Sequence, residues 1–336
     1  MVWFSLGLRA LVNMEALNMA ESIGNFMRHR KAAIVVRTNS GYIIRYVPVV
    51  SGESLAHAYQ SWVSRLALKR NISVCNLCAR EEFVKHAQPQ LFDVNVEWER
   101  KLSELLSRKG MRSEEVEFSI VTNCVVEDIG GFLVAAAIPV KRTSRFICGY
   151  MVPALDSLES AIAEPQLHAR HTPTKLEAQM IYYVEVGSAV YTWSFGIDLG
   201  SIGVSAYTSQ LKLGERERRA RVELALDALA HMLESSLFGA KQSRFNPVIS
   251  YESLLLVLSR DTPFMVSSPA KSTYIEETVN RIRAIKEKFN YEFKLVGYAG
   301  YSDVESVMKE EGVELATTIV EAIAKVKEEA LGWLRL

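Results

Sequence analysis

Polar and apolar residues alternate along residues 3–13, with Phe4, Leu6, Leu8, Ala10 and Val12 on one face, and this two-residue period predicts a strand. Residues 34–37 and 42–47 are β-rich runs flanking "TNSGY", whose Asn-Ser-Gly is turn chemistry and predicts a hairpin. From about 53 to 70 the spacing becomes helical. The stretch 71–114 is mixed and mainly helical, and "VEWERKLSELLSRKG" ends on a capping glycine. Alternation returns in "VEFSIVTNCVVE" (116–127), where Phe118, Ile120, Thr122, Cys124 and Val126 share a face, so a strand is expected. "MIYYVEVGSAVYTWSF" (180–195) is a further aromatic and β-branched strand, long or broken at Gly187. The clearest helix spans 214–237, with Val222, Leu226, Leu229, Leu233 and Leu237 as its stripe and Gly239 beyond its end. Residues 248–258 predict another strand, and the last third adds helices around 273–288 and 303–330.

With the insertions set aside, the order is strand 3–13, helix 53–70, strand 116–127, strand 180–195, helix 214–237, strand 248–258. This β-α-β-β-α-β order predicts an α+β fold with a ferredoxin-like, or RRM, core. The core is expected within residues 1–260, with insertions at 14–52, 71–114 and 128–179. Residues 261–336 form a mostly helical, acidic extension.

The 39 basic and 39 acidic residues cancel, which argues against a protein that coats nucleic acid over its whole surface. Their distribution says more. Residues 1–50 hold six basic and two acidic side chains, whereas 301–330 hold three basic and eight acidic. A chain with such poles can hold an anion at one side or stack head to tail on its copies. The longest apolar run, "GGFLVAAAIPV" (130–140), is too short for a membrane span. Arg9 interrupts the N-terminal stretch, which lacks a basic leader, and a cytoplasmic protein is expected.

The stretch "SGESLA" (51–56) is close to a serine-hydrolase elbow. Too little chain precedes Ser54 to build the sheet such an elbow needs; Ala56 replaces the second glycine, and no oxyanion loop accompanies it. Ser51-Gly52 before a helix is also an N-cap, and a helix start can hold a phosphate. Local pattern leaves cap and anion site both open. Cys75 and Cys78 form one CxxC without a second pair, so no metal site is expected and two cysteines on one helix face are the simpler reading. No acid–base pair with catalytic spacing is evident. Three basic clusters stand out instead: "FMRHRK" (26–31), "PVKRTSR" (139–145) and "GAKQSRFNP" (239–247). Lysine and arginine mixed with serine and threonine are the groups that contact phosphates and sugars. "QLHAR" adds His168 and Arg170. In loops of an RRM-like frame, the clusters suggest a track for a polyanion.

Five segments carry a family resemblance: "NMEALNMAESIGNFMRHR", "RYVPVVSGESLAHAY", "GGFLVAAAIPVKRTSRFICGYMVPAL", "QLHAR" and "FGAKQSRFNP". In order and spacing they resemble the DevR-like, RAMP-superfamily backbone subunit of the archaeal type I-A CRISPR complex, Cascade. The likeness runs from about residue 6 to 265 and thins over 71–114. It implies a modified RRM core whose copies polymerise helically along a CRISPR RNA (crRNA) beside other Cascade subunits. It also implies a projecting hairpin that interrupts pairing with target DNA, and neither catalysis nor a cofactor. The RNA-binding residues it implies are Arg28, His29 and Arg30; Ser51, Gly52 and Ser54; Lys141, Arg142, Ser144 and Arg145; His168 with Arg170; and Lys241, Ser243 and Arg244. The alternatives are a metal-independent CRISPR RNA endonuclease using His29 or His168, and a structural oligomer without nucleic acid.

Overall fold

The computed structural model describes residues 1–108, 110–170 and 180–336. Strand β1 (Val2–Glu15) buries Phe4, Leu6, Leu8, Ala10 and Val12 on one face. On its other face Arg9 is clamped between Asp156 and Glu252 at 3.0 and 2.9 Å. β2 (Met19–Ile23) and β3 (Phe26–His29) form a short antiparallel hairpin, and β4 (Lys31–Thr38) with β5 (Gly41–Pro48) a longer separate ribbon. Helix α1 (Gly52–Lys69) then starts on Ser51, whose Oγ accepts the Ser54 N–H at 3.2 Å. Its buried Leu55, Tyr59, Val63 and Leu66 recur at helical spacing. Gly52 is set by packing, because a Cβ there would lie 2.6 Å from the Cys148 carbonyl oxygen.

The following insert holds α2 (Asn76–Ala79), α3 (Glu97–Ser107), α4 (Ser113–Asn123) and α5 (Val125–Gly130). The strand expected at 116–127 is therefore corrected to two short helices meeting at Cys124. Apolar residues at 116, 118, 120 and 121 satisfy both periods, and packing decides between them. Val116, Ile120 and Val121 meet Leu102, Phe92 and Val140 in a small core of their own, while Phe118, which a strand would bury, is exposed. Glu114 and Glu115 in the first turn favour the helix through its dipole.

β6 (Phe132–Val134) and β7 (Val140–Arg142) make a second small hairpin. β8 (Phe146–Cys148), β9 (Val152–Pro153) and β10 (Ile162–Arg170) all pair antiparallel with β11 (Met180–Asp198), which runs unbroken through Gly187. Helix α6 (Glu215–Ser235) stops at left-handed Ser236, so Leu237 falls outside the buried stripe and is exposed. β12 (Val248–Arg260) follows. The C-terminal part holds α7 (Tyr274–Phe289), β13 (Phe293–Ala299), α8 (Ser302–Glu310), β14 (Glu314–Leu315) and α9 (Ile319–Leu334). The single helix expected at 303–330 is thus two helices separated by β14, and β13 is a strand the pattern did not disclose.

One large mixed sheet runs in the order β14-β13-β12-β1-β11-β3-β2, with β8, β9 and β10 also on β11. Helices α1, α6 and α9 cover one face, where Tyr59 donates to the Ala225 carbonyl at 3.0 Å. β12 is buried on both faces. Leu254, Leu256 and Leu258 join that core, whereas Leu255 and Val257 join the cluster under α7 and α8. Such two-sided burial explains its unbroken apolar run. Among the described residues no helix is long and apolar enough to cross a membrane.

Candidate nucleic-acid interface

A chain of three adjoining concavities crosses the surface beside β2, β3 and the far end of β11. The largest, about 610 Å³, opens between Asn18, Ser54, His57 and Trp62 on one side and Leu237–Gln242 on the other. It shares Lys241 with a smaller hollow that also contains Met27, Tyr182, Ser243, Arg244 and Phe245. Met27, Tyr182 and Arg244 continue into the third, about 410 Å³, which ends at Ser22 and Asn25.

The loop after α6 is seated by backbone contacts that bring distant parts of the sequence together. The Ala240 N–H donates to the Leu17 carbonyl at 2.7 Å, and Gly239 (φ +80°) lies so close to Leu17 that a side chain there would collide with it. Asn18 joins the neighbouring parts: its Oδ1 accepts the Ser51 N–H at 3.0 Å and its carbonyl the Arg30 N–H at 2.8 Å. The α1 start, the β3 end and the 239–247 loop therefore meet at one junction.

At the second hollow, the His168 ring of β10 stacks on Tyr182 at 5.3 Å and meets the edge of Phe245 at the same distance. His168 Nε2 is buried without a hydrogen-bond partner. Lys241 Nζ stands 2.7 Å from the Met27 sulfur, and partial burial followed by the nearby Arg244 charge lowers its pKa. Two cations set together beside aromatic rings are matched by an anion attached to flat groups, which is the description of a nucleotide.

The remaining expected residues divide between surface and interior. Arg28 is exposed and pairs with Glu21 at 3.2 Å. Arg30 is half-buried, with a buried Nε lacking a partner. Ser54 lines the large cleft, while Ser51 is buried as the helix cap and Gly52 against the Cys148 carbonyl. Ser243 and Arg244 are exposed. Arg170 closes β10, and its side chain lies outside the described residues.

Two expectations are corrected outright. His29 is buried, with Nε2 2.6 Å from Glu15 Oε1 and Nδ1 2.8 Å from the Arg30 carbonyl; Tyr191 donates to the same carboxylate at 2.7 Å. Arg142 is buried too, paired with Glu117 at 2.6 Å and with Asp128, which also takes Arg221 at 3.0 Å. Both side chains are turned inward onto buried carboxylates and away from the surface.

The rest of the 139–145 motif lies elsewhere. Lys141 is exposed, Ser144 Oγ donates to the Phe146 carbonyl at 2.8 Å, and Arg145 donates to the Val204 carbonyl at 3.1 Å. Burial and then the Arg142 charge lower the Arg145 pKa. Phe146 pairs with Ile197 of β11, whereas His168 pairs with Tyr182. The two places are up to about 50 Å apart along that strand at ~3.3 Å per residue. Sequence reasoning missed Tyr182, Met27 and Asn18 as site residues, because only the β3–β11 pairing and the loop's docking on Leu17 reveal them.

Residues 6–279 match the family model described as CRISPR-associated negative auto-regulator DevR/Csa2. A Saccharolobus solfataricus protein named CRISPR-associated aCascade subunit Cas7/Csa2 2 is 37% identical over 96% of this chain and 98% of its own. A Methanocaldococcus jannaschii protein named CRISPR-associated protein Cas7/Cst2/DevR is 25% identical over 94% of this chain and 98% of its own. In fold, the chain is similar to a chain of a solved CRISPR RNA-guided surveillance complex in a pre-nicking state, with TM-score 0.59 at 11% identity over 98% and 99% of the two chains.

Proposed function

The chain belongs to the CRISPR-associated DevR/Csa2 family, and on that footing we propose that it is a non-catalytic backbone subunit of a type I surveillance complex. It grips crRNA along the sugar–phosphate backbone, polymerises head to tail on it beside other Cascade subunits, and presents the guide to target DNA. The observation that carries this reading is the connected groove in which Lys241 and Arg244 stand beside the His168–Tyr182–Phe245 rings. Backbone contacts of this kind hold any sequence and leave base edges free to pair. The contact set is Arg28, Arg30, Ser54, His168, Arg170, Lys241, Ser243 and Arg244. Lys141 and Arg145 form a separate second place of contact.

The finer topology belongs to the same proposal. β1, α1, β8–β9, β11, α6 and β12 follow one another as β-α-β-β-α-β, and their sheet order β12-β1-β11-β8/β9 is antiparallel throughout. This supports an RRM-like core whose second strand is β8–β9, not 116–127.

Anisotropy titration with single-stranded RNA of one-protomer length tests the site. With about three phosphates neutralised, log affinity falls against log salt with a slope of roughly −2, and the Lys241→Ala/Arg244→Ala variant is shallower by about 1.4. The RNA is recovered at full length afterwards. A slope near zero, or cleaved RNA, contradicts the proposal.

A further inference from the structure

The inserted segment contains a cluster that the RNA reading does not use. Cys75, Cys78, Cys124 and Glu127 are all buried, and one ligand atom from each lies within 4.8 Å of all the others. Cys75 is the cap of the short helix α2, and its sulfur accepts the Cys78 N–H at 3.5 Å. That turn aims both CxxC sulfurs the same way. Cys124 sits at the extended break between α4 and α5 (φ −146°, ψ 108°), and Glu127 follows it one turn later. The break is held by the Val125 N–H donating to the Ser73 carbonyl at 2.9 Å, two residues before the CxxC. Backbone geometry thus delivers three thiols and a carboxylate to one point from two segments.

A second, independent observation points to a cation there. Glu127 Oε2 is buried and has no hydrogen-bond partner, while Oε1 is held 2.6 Å from the Nδ1 of His86, itself buried. His86 is fixed by Phe92 and Trp98 rings at 5.2 and 5.1 Å and lies 3.7 Å from Glu99. A carboxylate whose Oε1 is oriented by a fixed histidine and also lies 3.4 Å from the Cys75 sulfur, with its other oxygen buried and unpartnered, is how a metal ligand is held by its outer partners.

We propose that Cys75, Cys78, Cys124 and Glu127 bind one structural zinc ion. Three thiolates and one carboxylate are a tetrahedral zinc donor set, and soft sulfur ligands select against magnesium and calcium. With Zn–S bonds near 2.3 Å the sulfurs stand about 3.8 Å apart, a small contraction of the present cluster. Binding releases the three thiol protons to solvent. The complex of Zn²⁺ with four anionic ligands carries excess negative charge, and the His86 imidazole and the Lys85 amine, whose Nζ donates to the Gly130 carbonyl at 2.8 Å, are the nitrogen groups set beside it. The ion ties the CxxC turn to the α4–α5 break. The turn already docks on α1 through Ser64 Oγ, which donates to the Cys78 carbonyl at 2.8 Å. Asp128, next to Glu127, anchors Arg142 and Arg221, so the staple also steadies that buried ion group.

The test uses the full chain, produced with zinc in the medium and dialysed against metal-free buffer. Elemental analysis is expected to find about one zinc per chain, released when thiols are modified; replacement by Co²⁺ gives a thiolate-to-cobalt charge-transfer band in the near ultraviolet. Cys124→Ser loses the metal, and Cys148→Ser, which alters the one cysteine outside the cluster, keeps it. Should Cys124→Ser fail to fold, the unaltered protein decides the matter alone. Zinc-free protein with reactive thiols, or a Cys75–Cys78 disulfide in its intact mass, overturns the proposal, as does full zinc retention by Cys124→Ser.

Discussion

Beside Glu15, His29 occupies a site where two effects oppose each other. Burial disfavours the imidazolium, but the Glu15 hydrogen bond and charge, with the Arg30 carbonyl and Glu185, outweigh it and raise the His29 pKa above 6.5. A group whose folded pKa is raised contributes stability that is complete below the unfolded value and is lost as pH rises through the folded one. The melting-temperature gap between the protein and His29→Gln is therefore widest below about pH 6.5 and narrows toward alkaline pH. A gap that is constant, or widens, between about pH 5.5 and about pH 9 contradicts this assignment. The basic motifs stood out in the sequence, but which of their side chains the interior takes did not. In "PVKRTSR", Lys141 is exposed and the adjacent Arg142 is buried by Glu117 and Asp128, partners 25 and 14 positions away. Local sequence cannot say which of two neighbouring cations the interior will take.

At the level of elements, the β4–β5 ribbon carries an exposed apolar surface. Tyr42 and Tyr46 are 73% and 77% exposed, with Val35 and Ile44 also bare, and only Val47 and Pro48 at its base are buried. In the head-to-tail assembly proposed above, an exposed apolar ribbon of this kind would lie against the next copy. Tyr42→Ser/Tyr46→Ser should cost less than about 1 kcal/mol in stability, because little packing is lost. The same variant should form shorter assemblies on long RNA by sedimentation velocity; assemblies of unchanged length would remove the ribbon from the interface. The hairpin itself was readable, since "TNSGY" carries its own turn chemistry. The 116–127 segment was not, because its apolar spacing fits strand and helix equally. That ambiguity also hid Cys124 and Glu127, whose approach to the CxxC depends on the break between α4 and α5.

For the whole molecule, the alternation in β1 and the stripe of α6 were enough to read those two elements and a mixed α/β fold. What they could not supply was the order in which distant strands join. β13, from the C-terminal third, extends the sheet beyond β12, and β8–β10 occupy the β11 edge where 116–127 was expected. The groove is a product of that order, since β3, β10 and β11 meet only through strand pairing and the 239–247 loop is held on Leu17. If copies of this chain line a guide RNA as proposed, they must do so in a regular array. The most direct measurement is to purify the protein from cells that contain CRISPR repeats, treat it with ribonuclease, and sequence the protected RNA. A backbone subunit yields repeat-spacer RNA protected at a regular interval; particles free of RNA, or RNA without repeat sequence or periodic protection, would exclude that role.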